Sequence, residues 1–159
     1  MSTIGFDTSN YTTSTAWTDG KTDINVRQIL YVKDGERGIR QSDGVFQHMK
    51  LMPVMYEKLS EQIDFKDVKA VGVSTRPRCV EGSYMPVFLA GEGYAKVVAN
   101  TLGVPLYEFS HQDGHIMAGI YSSGSFELLE NDFISVHLSG GTTAVSYTHL
   151  RAHETAANL

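Results

Sequence analysis

A continuous apolar run, Val68 to Ser74, lies between two segments whose apolar residues recur at helical spacing, and it constrains the fold more than any other feature. Apolar runs without alternation are typical of parallel strands that are buried on both faces. The segment before it, Ser42 to Gln62, predicts an amphipathic helix, and Pro86 to Leu102 predicts a second one. Val104 to Phe109 then repeats the strand pattern. The chain therefore alternates helix and strand, as sheets with crossover helices do.

Three strands precede this alternation, and a further helix and strand follow it. They are Thr3 to Phe6, Thr12 to Trp17, Ile24 to Val32, the helix Gln112 to Tyr121 and the strand Phe133 to Leu138. A three-strand meander continued by parallel strands is a ribonuclease-H-like order, from which actin-like ATPases build each of their two lobes. We predict an α/β protein of the actin-like ATPase fold, comprising the first lobe and the start of the second.

Local signals refine the ends of these elements. Asp7 to Tyr11 is predicted as a loop between the first two strands, and Asp19-Gly20 as a hairpin turn. Ser42 or Asp43 is the expected N-cap of the long helix. Pro53 predicts that this helix bends or starts again.

Composition excludes several classes of protein. The 159 residues are 42% hydrophobic and 19% charged, an ordinary balance for one globular domain. The formal charge of -5 gives no general attraction to phosphate backbones. No stretch approaches the roughly 20 apolar residues of a membrane span, and Met1 to Asp7 runs into a strand instead of a leader. With Cys79 as the single cysteine, we expect a cytoplasmic protein without a membrane segment.

The end of the chain has a second, non-biological explanation. Val145 to Thr155 reads VSYTHLRAHET, which is also one translated frame of a transposase sequencing adapter. The alternative is a natural polar helix that carries two histidines. We assign residues 1–132 to the first lobe, residues 133–144 to the truncated start of the second lobe, and residues 145–159 to an adapter-derived tail.

Two loops have the residue types of phosphate-binding loops. Asp7, Thr8 and Ser9 follow the first strand, and their side chains and backbone N–H groups could face an anion or a hydrated cation. The alternative is an ordinary hairpin loop in which Asp7 and Ser9 bond nearby backbone. Ser139, Gly140 and Gly141 follow the last strand, and the two glycines would let a phosphate approach the backbone closely. Two such loops in this order favour a nucleotide cleft.

His111 and His115 lie four residues apart where a strand gives way to a helix. That spacing puts both imidazoles on one helical face, where they could bind one transition metal. The alternative is a pair of exposed or capping histidines. Two protein ligands do not complete a metal site, and no convincing third ligand precedes Ala144. His48, on the long helix among apolar residues, is interpreted as structural or partner-facing.

These segments together resemble the Kae1/TsaD (Gcp) family in order and spacing over residues 3 to 143. The resemblance is carried by Ile4 to Ser9, the His111/His115 segment and Ser139 to Gly141. Members of that family, once called O-sialoglycoprotein endopeptidases, transfer a threonylcarbamoyl group from its adenylate to N6 of the adenosine beside the tRNA anticodon. They use an iron or zinc ion.

The resemblance implies a role for each candidate residue. His111 and His115 would be ligands of a divalent metal, and Asp7 to Ser9 with Ser139 to Gly141 would line the cleft for an adenine nucleotide or threonylcarbamoyl-adenylate. The third ligand, an aspartate, would come from a second lobe that this chain lacks. Paralogous partner subunits and tRNA bound through a complex are also implied. No catalytic side chain is assigned.

Three departures from the family pattern face the expected cleft. Asn10-Tyr11-Thr12 replaces Cys-Asp-Glu, Arg76-Pro77-Arg78 replaces Gly-Pro-Gly, and Gly140-Gly141-Thr142-Thr143 replaces Gly-Gly-His-Thr. Arg76 and Arg78 could bind an anion, or be surface charges beside a tight proline turn.

The sequence leaves three functions open. The first is a threonylcarbamoyl-transferase-like enzyme of which this is an inactive fragment, favoured by the two histidines. The second is a divergent nucleotide-binding paralogue that acts as a partner subunit, favoured by the altered loops. The third is an ATP-dependent carbamoyl or acyl transferase with another acceptor. A zinc peptidase is disfavoured because Gln112 stands where those enzymes have the glutamate that activates water.

Overall fold

The computed structural model describes residues 1–36, 38–139 and 142–148, with backbone alone for residues 138–139 and 142–148. The strands are β1 Ser2–Ser9, β2 Thr12–Thr18, β3 Asp23–Ile29, β4 Val68–Arg76, β5 Leu106–Ser110, β6 Phe133–Ser139 and β7 Thr142–Thr148. The helices are α1 Gln41–Ser60, α2 Phe88–Leu102 and α3 His111–Ser123, with 3-10 turns at Phe65–Asp67 and Phe126–Glu130.

The chain divides into two compact units, Met1–Gly114 and His115–Leu159. In the first unit, five strands form one sheet in the order β3-β2-β1-β4-β5. Strands β1, β2 and β3 pair antiparallel, whereas β4 pairs parallel with both β1 and β5. This is the meander followed by crossover connections that the sequence predicts. In the second unit, β6 and β7 form an antiparallel pair.

The division between the units falls inside α3, at Gly114. The sequence places the end of the first lobe at residue 132, and that boundary stays a prediction. Strand β7 runs through residues assigned to the adapter-derived tail. The origin of the tail also stays a prediction.

The core of the first unit lies between the central strands and the two long helices. Strand β1 alternates buried and partly buried residues, and its Ile4 and Phe6 face the same cluster as the buried valines of β4. Helix α1 contributes Met52 and Leu59, and α2 contributes Ala95 and Ala99. The small side chains of α2 let its backbone approach the sheet closely.

Three predicted boundaries in the first half of the chain are wrong. Strand β1 continues to Ser9 instead of giving way to a loop at Asp7, because residues 7–9 pair with the start of β2. Strand β3 runs from Asp23 to Ile29 instead of from Ile24 to Val32, because its partner β2 begins at Thr12, which pairs with Ile29. Helix α1 starts at Gln41, and Arg40 occupies the N-cap without a side-chain bond.

Helix α1 also continues through Pro53 as one helix, so the restart predicted there is wrong, and the alternative of a bend stays a prediction. A proline inside a helix leaves the carbonyl four residues earlier without its donor, which is here the carbonyl of Met49. The Tyr94 hydroxyl of α2 donates to that carbonyl at 3.1 Å. A tertiary contact therefore supplies the hydrogen bond that the sequence of α1 cannot.

No helix in the described ranges is long and apolar enough to cross a membrane.

We predict that Tyr94→Phe destabilises the protein by about 1 kcal/mol, the usual net value of one hydrogen bond, and that Pro53→Ala abolishes most of this cost. Alanine at position 53 restores an N–H for the Met49 carbonyl, so the tyrosine hydroxyl is no longer needed there. Urea unfolding of the wild type, both single variants and the double variant measures the coupling. If Tyr94→Phe costs the same with proline and with alanine at position 53, the hydroxyl does not compensate for the N–H that Pro53 lacks.

Candidate functional site

The candidate site lies where three parallel strands of the first unit end. Strands β1, β4 and β5 all run in one direction, so Ser9, Arg76 and Ser110 mark the same edge of the sheet. Carboxyl edges of such sheets are where α/β proteins bind ligands. Asp7 and His111 meet at this edge.

Asp7 and His111 form the central contact of the site. The Asp7 Oδ2 atom lies 2.8 Å from His111 Nδ1, and Asp7 Oδ1 accepts the backbone N–H of Ser9 at 2.8 Å. The side chains are 27% and 31% exposed respectively, so a ligand can reach them. Burial acts to raise the pKa of the Asp7 carboxyl, but the hydrogen bond and charge of His111, with bonds from Ser74 and Ser9, hold that pKa below its ordinary value. Asp7 is therefore an ionised acceptor beside an imidazole.

The backbone of His111 is fixed by the start of α3. Ser110 and Asp113 exchange hydrogen bonds: the Ser110 N–H donates to Asp113 Oδ2 at 3.0 Å, and the Asp113 N–H donates to Ser110 Oγ at 3.1 Å. This reciprocal arrangement is a capping box. Gln112 also donates its N–H to the Pro77 carbonyl at 3.1 Å, after the end of β4. The helix begins one residue earlier than the sequence predicts, so His111 lies in its first turn.

Thr8, predicted to line a nucleotide cleft, is fully buried on the helix-facing side of β1. Its hydroxyl donates to the Val87 carbonyl at 2.8 Å and accepts the Gly91 N–H at 3.0 Å. A Cβ atom at Gly91 would lie 2.8 Å from this hydroxyl oxygen. In this structure Thr8 joins the end of β1 to the start of α2, and its contact with a nucleotide stays a prediction.

We predict opposite stability changes for two alanine substitutions in α2. Gly91→Ala pushes a methyl group against the buried Thr8 side chain and should cost about 1–3 kcal/mol, as overpacking does. Gly93→Ala has nothing within 4 Å of the new Cβ and should stabilise the helix by up to about 1 kcal/mol. Thermal or urea unfolding measures both. A stabilising Gly91→Ala would contradict the close approach of α2 to Thr8.

Asn10 and Gln41 connect the β1–β2 turn to both long helices. The Gln41 Nε2 group donates to Asn10 Oδ1 at 2.9 Å, and Gln41 Oε1 accepts the Val87 N–H at 3.4 Å. Asn10 is the first residue of the triplet that departs from the family pattern. Its side chain is engaged in holding the turn against the start of α1.

His48 is a structural histidine, as the sequence suggests, because it is fully buried in α1 beneath the same turn. Its Nδ1 atom lies 2.8 Å from the Thr13 hydroxyl. Its Nε2 atom meets no hydrogen-bond partner among the described residues. Burial lowers the pKa of His48, and this outweighs the smaller opposite effects of the Ser9 backbone and Asp7.

Stability should therefore fall as the pH falls below about 6.5, the ordinary histidine value. Below this pH the unfolded chain takes up a proton on His48. The folded chain takes up that proton only at a lower pH, because its His48 pKa is lowered, so added protons favour unfolding. We predict that His48→Gln makes the unfolding free energy less dependent on pH in this window. Urea unfolding of both proteins between pH 8 and pH 5 measures the slopes. Identical slopes would show that His48 takes up its proton equally in both states.

In the second unit, His115 contacts a histidine that the sequence interpretation missed. The ring of His137, on β6, lies edge-on to that of His115 with 4.9 Å between centroids and 83° between planes. The sequence signal that could have indicated His137 is its position, two residues before the predicted glycine loop. Ser139 ends β6, where its backbone pairs with Thr142, and Gly140 and Gly141 lie outside the described residues.

Some of the side chains at the site are of the types that bind transition metals in proteins. Imidazole is a common ligand of zinc and iron, and α3 carries His111 and His115 one turn apart. A carboxylate behind a ligating imidazole, as Asp7 is behind His111, is the usual arrangement around such ions. Across the described ranges, no three or more His, Cys, Asp or Glu side chains gather closely enough to hold a metal. The third ligand that the resemblance places in a second lobe stays a prediction.

The family model described as tRNA N6-adenosine threonylcarbamoyltransferase, TsaD, matches residues 35–157. The chain belongs to the TsaD family. The matched residues include His111, His115 and the Ser139–Gly141 segment, and they begin after Asp7–Ser9. The match also runs into residues 145–157, so it does not separate the predicted tail from the rest of the chain.

Relatives named tRNA N6-adenosine threonylcarbamoyltransferase are similar over much of the chain. The protein from Pyrobaculum calidifontis is 29% identical over 145 residues, which are 90% of this chain and 40% of that protein. The protein from Moorella thermoacetica is 36% identical over 102 residues, 63% of this chain and 28% of its own length. The chain thus spans less than half the length of these curated TsaD relatives.

Two solved structures from Pseudomonas aeruginosa share the fold. YeaZ aligns with a TM-score of 0.52 at 13% identity, covering 93% of this chain and 65% of that one. A protein described as similar to peptidase YEAZ aligns with a TM-score of 0.53 at 12% identity, covering 92% and 64%. The actin-like, ribonuclease-H-like α/β fold predicted for this TsaD-family chain is confirmed.

Proposed function

We propose that this chain is the first part of a metal-dependent transferase that moves a threonylcarbamoyl group from its adenylate to N6 of the adenosine beside the tRNA anticodon. The observation that carries the proposal is the Asp7–His111 pair, at the ligand-binding edge of the sheet in a TsaD-family chain. A histidine held there by a carboxylate suits metal binding. The names of the relatives supply the reaction class.

In this proposal His111 and His115 hold a divalent iron or zinc ion, and a third ligand comes from the second lobe. The bound ion would act as a Lewis acid on the mixed-anhydride donor. Asp7 to Ser9 and Ser139 to Gly141 line the cleft for the adenylate or another adenine nucleotide. The carboxylate of Asp7 engages His111 and the Ser9 N–H, so the end of β1 would meet the donor in a fixed conformation.

The acceptor is tRNA, reached through a complex with paralogous subunits in the cytoplasm. A net charge of -5 gives the chain no general attraction of its own for a phosphate backbone. Partners would therefore supply the basic surface that holds the tRNA. The 159-residue chain alone would be inactive, because one wall of the cleft and one metal ligand would be missing.

The test compares the full-length gene product with the 159-residue chain. The reading frame is first established by an adapter-free read of the source DNA across the codon for Ala144. We predict that the full-length protein, with threonylcarbamoyl-adenylate and partner subunits from the same source, forms threonylcarbamoyladenosine in tRNA, detected by mass spectrometry of the nucleosides. His111→Ala should reduce the rate at least about 100-fold, as loss of a metal ligand or its support does. Lys21→Ala is the control, since Lys21 is exposed in the turn between β2 and β3, away from the candidate site.

A full-length protein that forms none of this nucleoside, with folded and metal-loaded controls, would contradict the transferase proposal. Turnover by the isolated 159-residue chain would contradict the proposed need for the second lobe.

The second candidate is a nucleotide-binding paralogue that acts as a partner subunit. The Asn10–Gln41 hydrogen bond favours it, because a structural contact occupies the first position of the triplet in which transferases carry an acidic pair. Tyr11 and Thr12 stand where those two acids are expected. This candidate predicts ATP binding by the full-length protein, measured by calorimetry, together with no transfer. A transferase of carbamoyl or acyl groups to another acceptor would instead consume the donor without modifying tRNA.

A further inference from the structure

We infer that Asp7 is a positioning residue for His111: it keeps the hydrogen of the imidazole on Nδ1 and thereby directs Nε2 to the metal. The inference rests on the proposed function for the identity of the ion. The hydrogen position follows from this chain's own contacts.

The two oxygens of Asp7 have separate partners. Oδ1 accepts the Ser9 N–H, and Oδ2 lies 2.8 Å from His111 Nδ1. A carboxylate, which is the ordinary form of an aspartate near neutral pH, can only accept hydrogen bonds. Nδ1 must therefore be the donor. In a neutral imidazole the lone pair then lies on Nε2, so coordination by His111 would use that atom.

The carboxylate is held by the sheet and not by a mobile loop. Asp7 lies within β1 and pairs with Ser14 of β2. Its neighbour Thr8 is buried and bonded to the Val87 carbonyl and the Gly91 N–H. The direction in which Asp7 points is thus set by strand pairing on one side and by helix packing on the other.

The imidazole is held independently at its backbone. The capping box of Ser110 and Asp113 fixes the first turn of α3, and the Gln112 N–H is bonded to the Pro77 carbonyl. The Phe88 ring lies 6.1 Å from the imidazole, centroid to centroid. His111 is therefore fixed at its main chain by α3 and at Nδ1 by Asp7. Ligands fixed in this way lose little freedom when they bind a metal.

An amide at position 7 would conflict with this arrangement. The Ser9 N–H and the His111 Nδ1–H point to different oxygens of residue 7, and each needs an acceptor there; Ser74 also bonds to this carboxylate. Asparagine has one acceptor oxygen and one donor NH₂ group. Asp7→Asn must therefore either release the Ser9 N–H or turn its NH₂ to His111, which moves the imidazole hydrogen to Nε2.

The experiment first determines the hydrogen position in the metal-free, full-length protein. Long-range ¹H–¹⁵N spectra of the protein with ¹⁵N-labelled histidine rings, recorded near pH 8 where free imidazole is neutral, distinguish Nδ1–H from Nε2–H. The His111 signals are assigned by their loss in His111→Ala. We expect the Nδ1–H form in the wild type. An Nε2–H form would overturn the inference, and this measurement needs no variant of Asp7 to fold.

Zinc titration by calorimetry then tests the consequence. We expect Asp7→Asn to weaken zinc binding about 10- to 100-fold, the usual effect of removing such a carboxylate. The matched control is Ser74→Ala, which removes a hydrogen bond to Asp7 and leaves the His111 contact in place. It should change zinc affinity less than about threefold, which is below 1 kcal/mol.

A double-mutant cycle with His111→Ala separates positioning from a general effect on folding. If Asp7 acts through His111, Asp7→Asn causes no further loss of zinc affinity once the imidazole is gone. The same loss in both backgrounds would overturn the inference. If His111→Ala leaves zinc binding unchanged while the Nδ1–H form is observed, the proposed metal function fails and the positioning of the ring by Asp7 stands.

Discussion

Strand β1 hydrogen-bonds to β2 on one edge and to β4 on the other, and the rest of the first unit is arranged around that two-sided pairing. It turns Ile4, Phe6 and Thr8 towards the helices. Asp7 lies one residue away from that set and so points to the opposite face of the strand. The hydrophobic core and the candidate site therefore follow from one strand, and a slip of one residue would exchange them.

The fold could be predicted from the sequence because apolar patterning decides element type and order. The errors arose where a tertiary contact overrules a local signal. Residues 7–9 are polar and were interpreted as a loop, yet pairing with β2 makes them strand. Pro53 predicts that α1 bends or starts again, but α1 is one helix and the Tyr94 hydroxyl of α2 provides the missing hydrogen bond. A partner 45 residues away in sequence leaves no trace in the local pattern of α1.

The sequence predicts residues of the site one at a time, but it does not predict the contacts between them. Asp7, His111 and His115 were each named from local motifs, but the Asp7–His111 bond joins residues 104 positions apart. The parallel direction of β1 and β5 brings Asp7 and His111 to one edge of the sheet, but it does not predict that their side chains bond. His137 was missed because one histidine in a strand carries no motif, although its ring contacts that of His115. Thr8 is the opposite case. The sequence names it because its hydroxyl could face a nucleotide, but in the structure that hydroxyl bonds to the start of α2.

The departures from the family pattern are unevenly distributed over the site. The residues expected to hold a metal keep their types, and one of them is supported by a carboxylate within the sheet. The altered residues lie at or just after the ends of β1 and β4 and at the start of β7, and Asn10 is bonded to Gln41 at the start of α1. If a phosphate lies beside the β1–β2 turn, as the proposed function requires, the loss of two acidic residues reduces like-charge repulsion there. Under the proposed function, divergence within the family would alter how the donor is held and would leave the residues proposed to bind the ion unchanged.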